Sequence, residues 1–100
     1  MYASIRIARG NQGEGEEMGK RIENEFLPVI SGVQGLVAYY CVDAGDDTII
    51  AISVFNDKAG ADESNKVALG WVQENLAPLM STPLEVKAGK VIVSTSGSES

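Results

Sequence analysis

Residues 33–55 read VQGLVAYYCVDAGDDTIIAISVF, and this stretch decides the fold. It contains two runs rich in β-branched and aromatic residues, at about 33–42 and at 48–55, separated by the polar segment 43–47. Aspartate and glycine favour tight turns, and apolar runs of this length favour strands. The stretch therefore predicts a β-hairpin.

The second strand of this hairpin is apolar on both faces. Successive side chains of a strand point to opposite sides, and residues 49–55 (IIAISVF) place apolar groups on each side. A sheet that helices cover on one side only normally carries polar residues on the other. We therefore expect a second cover, and the simplest is a homodimer that packs sheet against sheet about a two-fold axis.

The segments around the hairpin complete a pattern of six elements. Outside the hairpin, alternating and helical apolar spacings predict a strand at 2–9, a helix at 14–30, a helix at 61–80 and a strand at 84–94. This order predicts an α+β, ferredoxin-like βαββαβ sandwich, with a four-stranded antiparallel sheet and two helices on one face. The domain is expected over residues 1–94, and the polar segment 95–100 is expected to be a disordered tail.

Proline, glycine and aspartate mark the expected ends of the helices. Pro28 should kink or loosen the last turn of the first helix. Gly32 is expected to end that helix in the left-handed conformation. Asp57 or Gly60 is expected to cap the start of the second helix.

Composition excludes several kinds of site. Fourteen acidic and eight basic residues give a net charge of −6, which disfavours nucleic acid and anionic membranes as partners. The chain has no histidine and one cysteine, so the usual zinc and haem-iron ligands are missing, and we expect neither a metal nor a cofactor. The cysteine, Cys41, is expected to be a small buried apolar residue.

The sequence carries no targeting signal that we recognise. Its first residues lack the basic and apolar segments of a signal peptide, and no run approaches the ~18 apolar residues that cross a membrane. The expected location is the cytoplasm.

Residues 1–6 (MYASIR), 32–40 (GVQGLVAYY) and 53–64 (SVFNDKAGADES) resemble segments of the dimeric α+β barrel proteins, and among these the antibiotic-biosynthesis-monooxygenase-like family. The resemblance covers residues 1 to about 93. It implies a homodimer in which each subunit holds a pocket between its helices and its sheet. The family includes cofactor-free oxygenases of aromatic polyketides, haem-degrading enzymes and many proteins of no known function. The haem-degrading members use an asparagine on the first strand, where this chain has Ile5, and a tryptophan and a histidine on the second helix.

Aromatic residues are the first candidates for such a pocket. Tyr40 could bind a substrate oxygen, or its hydroxyl could be satisfied by the backbone. Its neighbour Tyr39 points to the opposite face, and either one could face the helices. Trp71 could stack on a flat ligand, or it could pack in the core.

Two polar residues on the strands complete the candidate set. Arg6 lies mid-strand, where a charge needs a partner. It could bind an anionic group of a substrate, pair with a carboxylate such as Glu85, or lie at the dimer interface. Ser53, on the third strand, could also contribute to the pocket.

Two functions remain open. The pocket could oxidise an aromatic or quinone-like molecule without a metal or an organic cofactor, because a dry cavity that stabilises a substrate carbanion or phenolate lets that anion react with O₂ directly. The chain could instead be a ligand-binding or structural dimer without turnover, which the missing histidine favours.

Overall fold

The computed structural model describes residues 1–95, and its elements follow the predicted order. Four strands form one antiparallel sheet in the order β2-β3-β1-β4. Their bounds are β1 Tyr2–Arg9, β2 Leu36–Gly45, β3 Thr48–Phe55 and β4 Glu85–Lys90. The first helix is a continuous helical stretch over residues 15–31, and the second helix is Lys58–Asn75. This is the ferredoxin-like α+β fold that the sequence predicts.

The core lies between the helices and one face of the sheet. Strand β3 alternates along its length: Ile49, Ala51, Ser53 and Phe55 are buried, whereas the side chains between them are only partly buried. The buried residues of the sheet pack against the first helix through Met18, Ile22, Phe26 and Ile30, and against the second through Ala61, Ala68 and Leu76. Full burial of a large apolar side chain of this kind contributes about 1.5–3 kcal/mol.

The hairpin between β2 and β3 turns at Asp46 and Asp47, which have φ values of 53° and 59°. Positive φ at both central residues is the type I′ geometry that matches the twist of the strands. The turn is shorter than the predicted segment 43–47, so β2 continues to Gly45. It also begins at Leu36 rather than at residue 33, because Gly35 turns the chain with a φ of 88°.

Asp47 also joins the hairpin to the start of the first helix. Its carboxylate accepts hydrogen bonds from the backbone N–H groups of Gly13 and Gly15, both at 2.9 Å. These two bonds lower the pKa of Asp47 below its ordinary value. The carboxylate thus serves as a cap for a helix that has no cap from its own flanking residue, Glu14.

The first helix changes its hydrogen-bond pattern ahead of Pro28. An α segment, Gly15–Arg21, leads into a π segment, Ile22–Phe26, and a final α segment, Leu27–Ser31. The last turn, which contains Pro28, is thus regular α-helix rather than loosened as predicted, and the irregular segment lies one turn earlier. Proline itself occupies the first turn of the final segment, where a missing N–H costs least.

The prediction for Gly32 is wrong. Gly32 has a right-handed φ of −86°, because the chain leaves the helix through a bond from the Val33 N–H to the Ile30 carbonyl oxygen. The left-handed residue is Gly35, immediately before β2.

The second helix begins and ends earlier than predicted. Asp57 is its cap: the side chain accepts from the Gly60 N–H at 3.0 Å, so the helix starts at Lys58 rather than at residue 61. The helix ends at Asn75, and a short 3₁₀ turn, Ala77–Leu79, follows with Pro78 inside it.

The last strand is shorter than the predicted 84–94, and ends at Lys90. One further backbone bond, from Val91 N–H to the Met1 carbonyl oxygen, continues its pairing with the start of the chain. Most of the expected disordered tail, residues 96–100, lies outside the described residues. Within residues 1–95, no helix is both long and apolar enough to cross a membrane.

The sheet face that the helices do not cover is apolar, and we call it the open face. The strand registers place Ile5 beside Ile52 and Ile7 beside Ile50 on this side. Tyr40 and Val42 of β2 extend the same surface. Because several of these side chains are substantially exposed, the second apolar face inferred from the sequence is a real feature of the fold.

Candidate functional site

A cavity of about 30 Å³ lies between the two helices and the sheet. Most of its wall is apolar, contributed by side chains such as Ile22, Phe26 and Val72. Its polar groups come from Arg6 of β1, Tyr39 of β2 and Trp71 of the second helix. By the measure in which a single water needs about 10–15 Å³, the cavity has room for roughly two water-sized atoms.

Arg6 is a buried cation with only neutral hydrogen-bond partners. It is 3 % exposed. Its Nη1 donates to Ser4 Oγ at 3.2 Å and to Asn65 Oδ1 at 2.9 Å, and its Nη2 donates to Ser53 Oγ at 2.7 Å. Burial lowers the pKa of Arg6, but a guanidinium stays protonated at neutral pH. No carboxylate among residues 1–95 forms an ion pair with it.

The expected partner of Arg6, Glu85, pairs instead with Arg9, at 2.9 Å. The strand register explains this correction. Arg6 stands opposite Val86, whereas Glu85 stands opposite Ile7, so Glu85 points to the open face. The Arg6–Glu85 pair is therefore wrong, and the positive charge of Arg6 has no counter-ion of this kind.

Tyr39 carries the second polar group of the cavity. Its hydroxyl is buried near the Arg6 guanidinium and the Cys41 thiol, but it makes no hydrogen bond of ordinary geometry to any residue in the range 1–95. Burial raises the pKa of Tyr39 far above its ordinary value, and the nearby positive charge of Arg6 opposes this only in part. The phenol is therefore a neutral donor at neutral pH, and a buried hydroxyl without a partner costs about 1–3 kcal/mol.

Aromatic rings form one side of the cavity. The rings of Phe26 and Trp71 lie 5.2 Å apart and are tilted by 45°. Phe26 also contacts Tyr39, with ring centres 6.2 Å apart, and lies 5.9 Å from the centre of the Arg6 guanidinium. Phe26 thus contacts both the cation and the tryptophan, and it lies with Ile22 on the π segment of the first helix.

A larger groove adjoins the cavity on the surface between the first helix and β2. Its volume is about 370 Å³, within the range of ordinary small-molecule sites. Three side chains, Ile22, Tyr39 and Ile49, line both the cavity and the groove. The two spaces therefore lie side by side and share these residues as part of their walls.

Cys41 lies on the wall of this groove, and its predicted burial is wrong. β2 is an edge strand of the sheet, and the first helix does not cover its far end. Cys41 is therefore exposed, although partial desolvation still raises the pKa of its thiol.

The structure sorts the predicted pocket residues. Arg6 and Trp71 line the cavity, and Ser53 supports Arg6 from β3. Tyr40 does not belong to this site: it is 62 % exposed on the open face, because neighbouring residues of a strand alternate in direction and Tyr39 takes the inner position. Ile5 likewise lies on the open face, so the first-strand residues that face the helices are Ser4, Arg6 and Ala8.

Asn65 is a site residue that our reading of the sequence missed. It binds Arg6 and also accepts a hydrogen bond from the Ser4 hydroxyl. The signal was present, because Asn65 lies four residues after Ala61 and three before Ala68, on the apolar stripe of the second helix. A polar residue in such a stripe indicates a buried polar partner.

Metal and porphyrin sites can be tested against these residues. Residues 1–95 contain no cluster of three or more side chains suited to a metal ion. Haem iron in proteins is held by histidine, cysteine, methionine or tyrosine. The chain has no histidine, Tyr39 is a protonated phenol in a cavity of about 30 Å³, and Cys41 faces the outer groove. These residues do not fit a haem ligated inside the inner cavity.

Comparison with known proteins confirms the fold. No protein-family model matches the sequence, and no curated protein matches it significantly. Among solved structures, the NE2512 protein of unknown function from Nitrosomonas europaea superposes with a TM-score of 0.83 at 18% identity, over 98% of this chain and 95% of that chain. A "Putative antibiotic biosynthesis monooxygenase from Nitrosomonas europaea" gives 0.75 at 13% identity, over 93% of this chain and 100% of the other.

A third similar structure is of a protein with a bound ligand. A variant of MhuD with two manganese protoporphyrin IX molecules bound per active site has a TM-score of 0.74 at 15% identity, over 97% of this chain and 100% of that chain. At these identities the likeness shows a shared fold. The fold expected from the resemblance to antibiotic-biosynthesis-monooxygenase-like proteins is therefore the fold of this chain.

Proposed function

We propose that this protein binds a flat, aromatic or quinone-like small molecule between its helices and its sheet, and that it oxidises this molecule with O₂ without a metal or an organic cofactor. One observation carries the proposal. A buried cation, Arg6, and a buried hydroxyl without a hydrogen bond, Tyr39, share a cavity that is otherwise apolar. The likeness in fold to a monooxygenase-like protein supports the same reading.

The cavity offers stabilisation of negative charge rather than proton abstraction. Burial keeps Tyr39 protonated, the pKa of Cys41 is raised, and Arg6 is a cation, so none of these groups is a good base at neutral pH. The positive charge and the hydroxyl can instead favour the anionic form of a substrate that is acidic by itself. In a dry cavity such stabilisation is worth more than in water.

The reaction balances with O₂ as the only co-reactant. A CH₂ group whose anion is conjugated with a carbonyl, as in anthrone, loses a proton to solvent, and the resulting anion forms a C–O bond with O₂. The peroxide takes up a proton and then loses water. One oxygen atom ends in a new carbonyl group and the other in water, and the CH₂ carbon is oxidised by four electrons.

The size of the two spaces determines how a ring would lie. The inner cavity of about 30 Å³ is too small for an aromatic ring, whereas the adjoining groove of about 370 Å³ can hold one. We therefore place the ring in the groove between the first helix and β2, and its polar edge in the inner cavity, past Tyr39.

We also propose that the protein is a homodimer through the open face. This face carries exposed Ile5, Tyr40 and Val42 beside further isoleucines of β1 and β3, and a monomer would leave it in water. Salt-bridged Arg9 and Glu85 lie at its border, as is usual for a polar rim around an apolar contact.

Fluorescence of Trp71, the only tryptophan, tests the binding site. We expect 1,4-naphthoquinone to quench it saturably, with a dissociation constant in the micromolar to millimolar range. Tyr39→Phe should weaken this binding or the turnover described below, whereas Tyr40→Phe, the neighbouring residue on the opposite face, should leave both unchanged. Absence of saturable quenching, or an effect of Tyr40→Phe without one of Tyr39→Phe, would contradict the site.

Oxygen uptake tests the reaction. With anthrone as the substrate, we expect the protein to accelerate the formation of anthraquinone over the rate in buffer, with one O₂ consumed per product. The alternative function, binding without turnover, predicts the same quenching but no acceleration. The two measurements together separate these functions.

A further inference from the structure

We propose that the ligand this site prefers is an anion whose negative charge is shared by two neighbouring oxygen atoms, as in an ionised 2-hydroxyquinone or a carboxylate, and that these oxygens bind Arg6 and Tyr39. This inference rests on the proposed function, because it names the class of molecule that the site would take. It is carried by the hydrogen-bond inventory and the charges around Arg6.

The guanidinium of Arg6 has more N–H donors than residues 1–95 use. A guanidinium has five N–H groups. Arg6 uses three of them, all from Nη1 and Nη2, for Ser4, Asn65 and Ser53. Two N–H groups, including the one on Nε, have no acceptor within residues 1–95. The side chains of Arg6 and Tyr39, which both line the cavity, therefore carry three N–H or O–H donors that have no acceptor among residues 1–95.

The positive charge of Arg6 has no negative group beside it among residues 1–95. A buried cation costs several kcal/mol in desolvation unless an anion offsets it. The titratable groups closest to Arg6 on the sheet are Tyr39 and Cys41 of β2, on the far side of β3, and both are protonated at neutral pH. The second helix contributes Asn65, which is neutral, and Glu85 of β4 faces the other way. The missing negative charge is thus left for a ligand to supply.

The inner cavity matches a pair of oxygen atoms in size. Two oxygen atoms have about the volume of two water-sized atoms, which is what the inner cavity can hold. An anion with two oxygens can accept side by side from two N–H groups of one guanidinium, a geometry that favours arginine over lysine. A ligand with a single oxygen would leave one of the three donors, or more, without a partner.

Three probes that differ in charge test the inference. They are 2-hydroxy-1,4-naphthoquinone, which is ionised at neutral pH, 2-naphthoate, and neutral 1,4-naphthoquinone. By calorimetry we expect the wild-type protein to bind at least one anion about tenfold more tightly than the neutral quinone. If both anionic probes bind tightly, the site recognises any pair of neighbouring anionic oxygens. If only one of them binds tightly, the site takes either the ionised hydroxyquinone or the carboxylate.

Two arginines of β1 provide the variant and its control. Arg6→Met should bring the anions to within about twofold of the neutral quinone, whereas Arg9→Met, three residues away on the open face, should keep the preference. If Arg6→Met does not fold, the preference of the wild-type protein and its reduction in Tyr39→Phe decide the question. Raising the salt concentration should weaken this preference less than it weakens a surface ion pair.

The outcomes separate this inference from the proposed function. Saturable binding of the neutral quinone with equal or weaker binding of both anions overturns the inference and leaves the proposed function standing. An anion preference that Arg6→Met does not reduce also overturns it. Binding of none of the three probes overturns both.

Discussion

Asn65 shows how one amide can decide the charge of a site. It receives a hydrogen bond from Arg6 at 2.9 Å, whereas a buried charge is usually paired with an opposite charge. An amide orients the guanidinium but leaves its charge uncompensated. The same side-chain shape with a negative charge would complete the pair inside the protein.

Asn65→Asp is therefore expected to compete with the ligand. The new carboxylate should pair with Arg6, so that 2-hydroxy-1,4-naphthoquinone binds about tenfold more weakly than to the wild-type protein, while 1,4-naphthoquinone is little affected. Calorimetry on both proteins measures this. Unchanged affinity for the anion would show that Arg6 does not bind it.

Asp47 is a second residue whose charge has a structural role. Its pKa is lowered in the folded protein by the Gly13 and Gly15 N–H groups, so its carboxylate stabilises the fold above the ordinary aspartate pKa of about 3.9. This contribution is lost as the pH falls through the lower folded pKa, where the carboxylate takes up a proton.

Asp47→Asn should lower the melting temperature by a few degrees at neutral pH, and the difference from the wild-type protein should shrink as the pH falls below the ordinary aspartate pKa and through the lower folded pKa of Asp47. Thermal unfolding at several pH values measures this. Asp46→Asn is the control, because Asp46 has a similar positive φ but no such carboxylate contact. Equal effects of the two variants would contradict the role of Asp47.

At the scale of elements, the sequence predicted well what depends on periodicity. The strand Thr48–Phe55 has the predicted bounds, because buried and less buried residues alternate without a break along all of it. Boundaries that depend on single hydrogen bonds were predicted less well. The left-handed residue is Gly35 rather than Gly32, and the second helix starts three residues early because the Asp57 side chain reaches Gly60.

The candidate site was predictable only in part, for a reason that also belongs to the elements. Alternation says that Tyr39 and Tyr40 face opposite ways, but it does not say which face the helices cover. The pairing of Arg6 with Glu85 failed for the same reason, since it needed the register between β1 and β4. Register is a property of two strands together, and neither strand contains it alone.

Two glycines of the second helix test how closely it packs. A Cβ at Gly60 would lie 2.8 Å from Phe55 Cδ2 and 3.0 Å from the Gln34 carbonyl oxygen, whereas a Cβ at Gly70 would meet no atom within 4 Å. We expect Gly60→Ala to destabilise the fold by about 1–3 kcal/mol. Gly70→Ala should stabilise it by about 0.5–1 kcal/mol through helix propensity.

Urea unfolding of both glycine variants measures these changes. A stable Gly60→Ala protein would mean that the start of the second helix is not held against β3 as described. The loss expected at Gly60 and the gain expected at Gly70 have opposite signs, so a general effect of alanine cannot produce both.

At the scale of the whole molecule, the two faces of the sheet have different roles. The inner face holds the core and the cavity, and the open face is apolar and without a cover within residues 1–95. The homodimer proposed through the open face predicts opposite effects for charges placed on neighbouring residues of β3.

Ile52→Asp lies on the open face and should give a folded monomer, whereas Ala51→Asp lies in the core and should unfold the subunit. Light scattering coupled to gel filtration, with circular dichroism, measures both. A wild-type mass near 10.6 kDa at all concentrations, the mass of one chain, would contradict the dimer.

The central claim is that Arg6 and Tyr39 bind the oxygens of a flat anion between the helices and the sheet. A crystal structure of the protein with 2-hydroxy-1,4-naphthoquinone tests it most directly. The account predicts the two oxygens within hydrogen-bond distance of the Arg6 guanidinium and the Tyr39 hydroxyl, with the rings in the groove between the first helix and β2. Rings on the open face, oxygens directed to solvent, or crystals grown with the quinone that show none at Arg6 would contradict it.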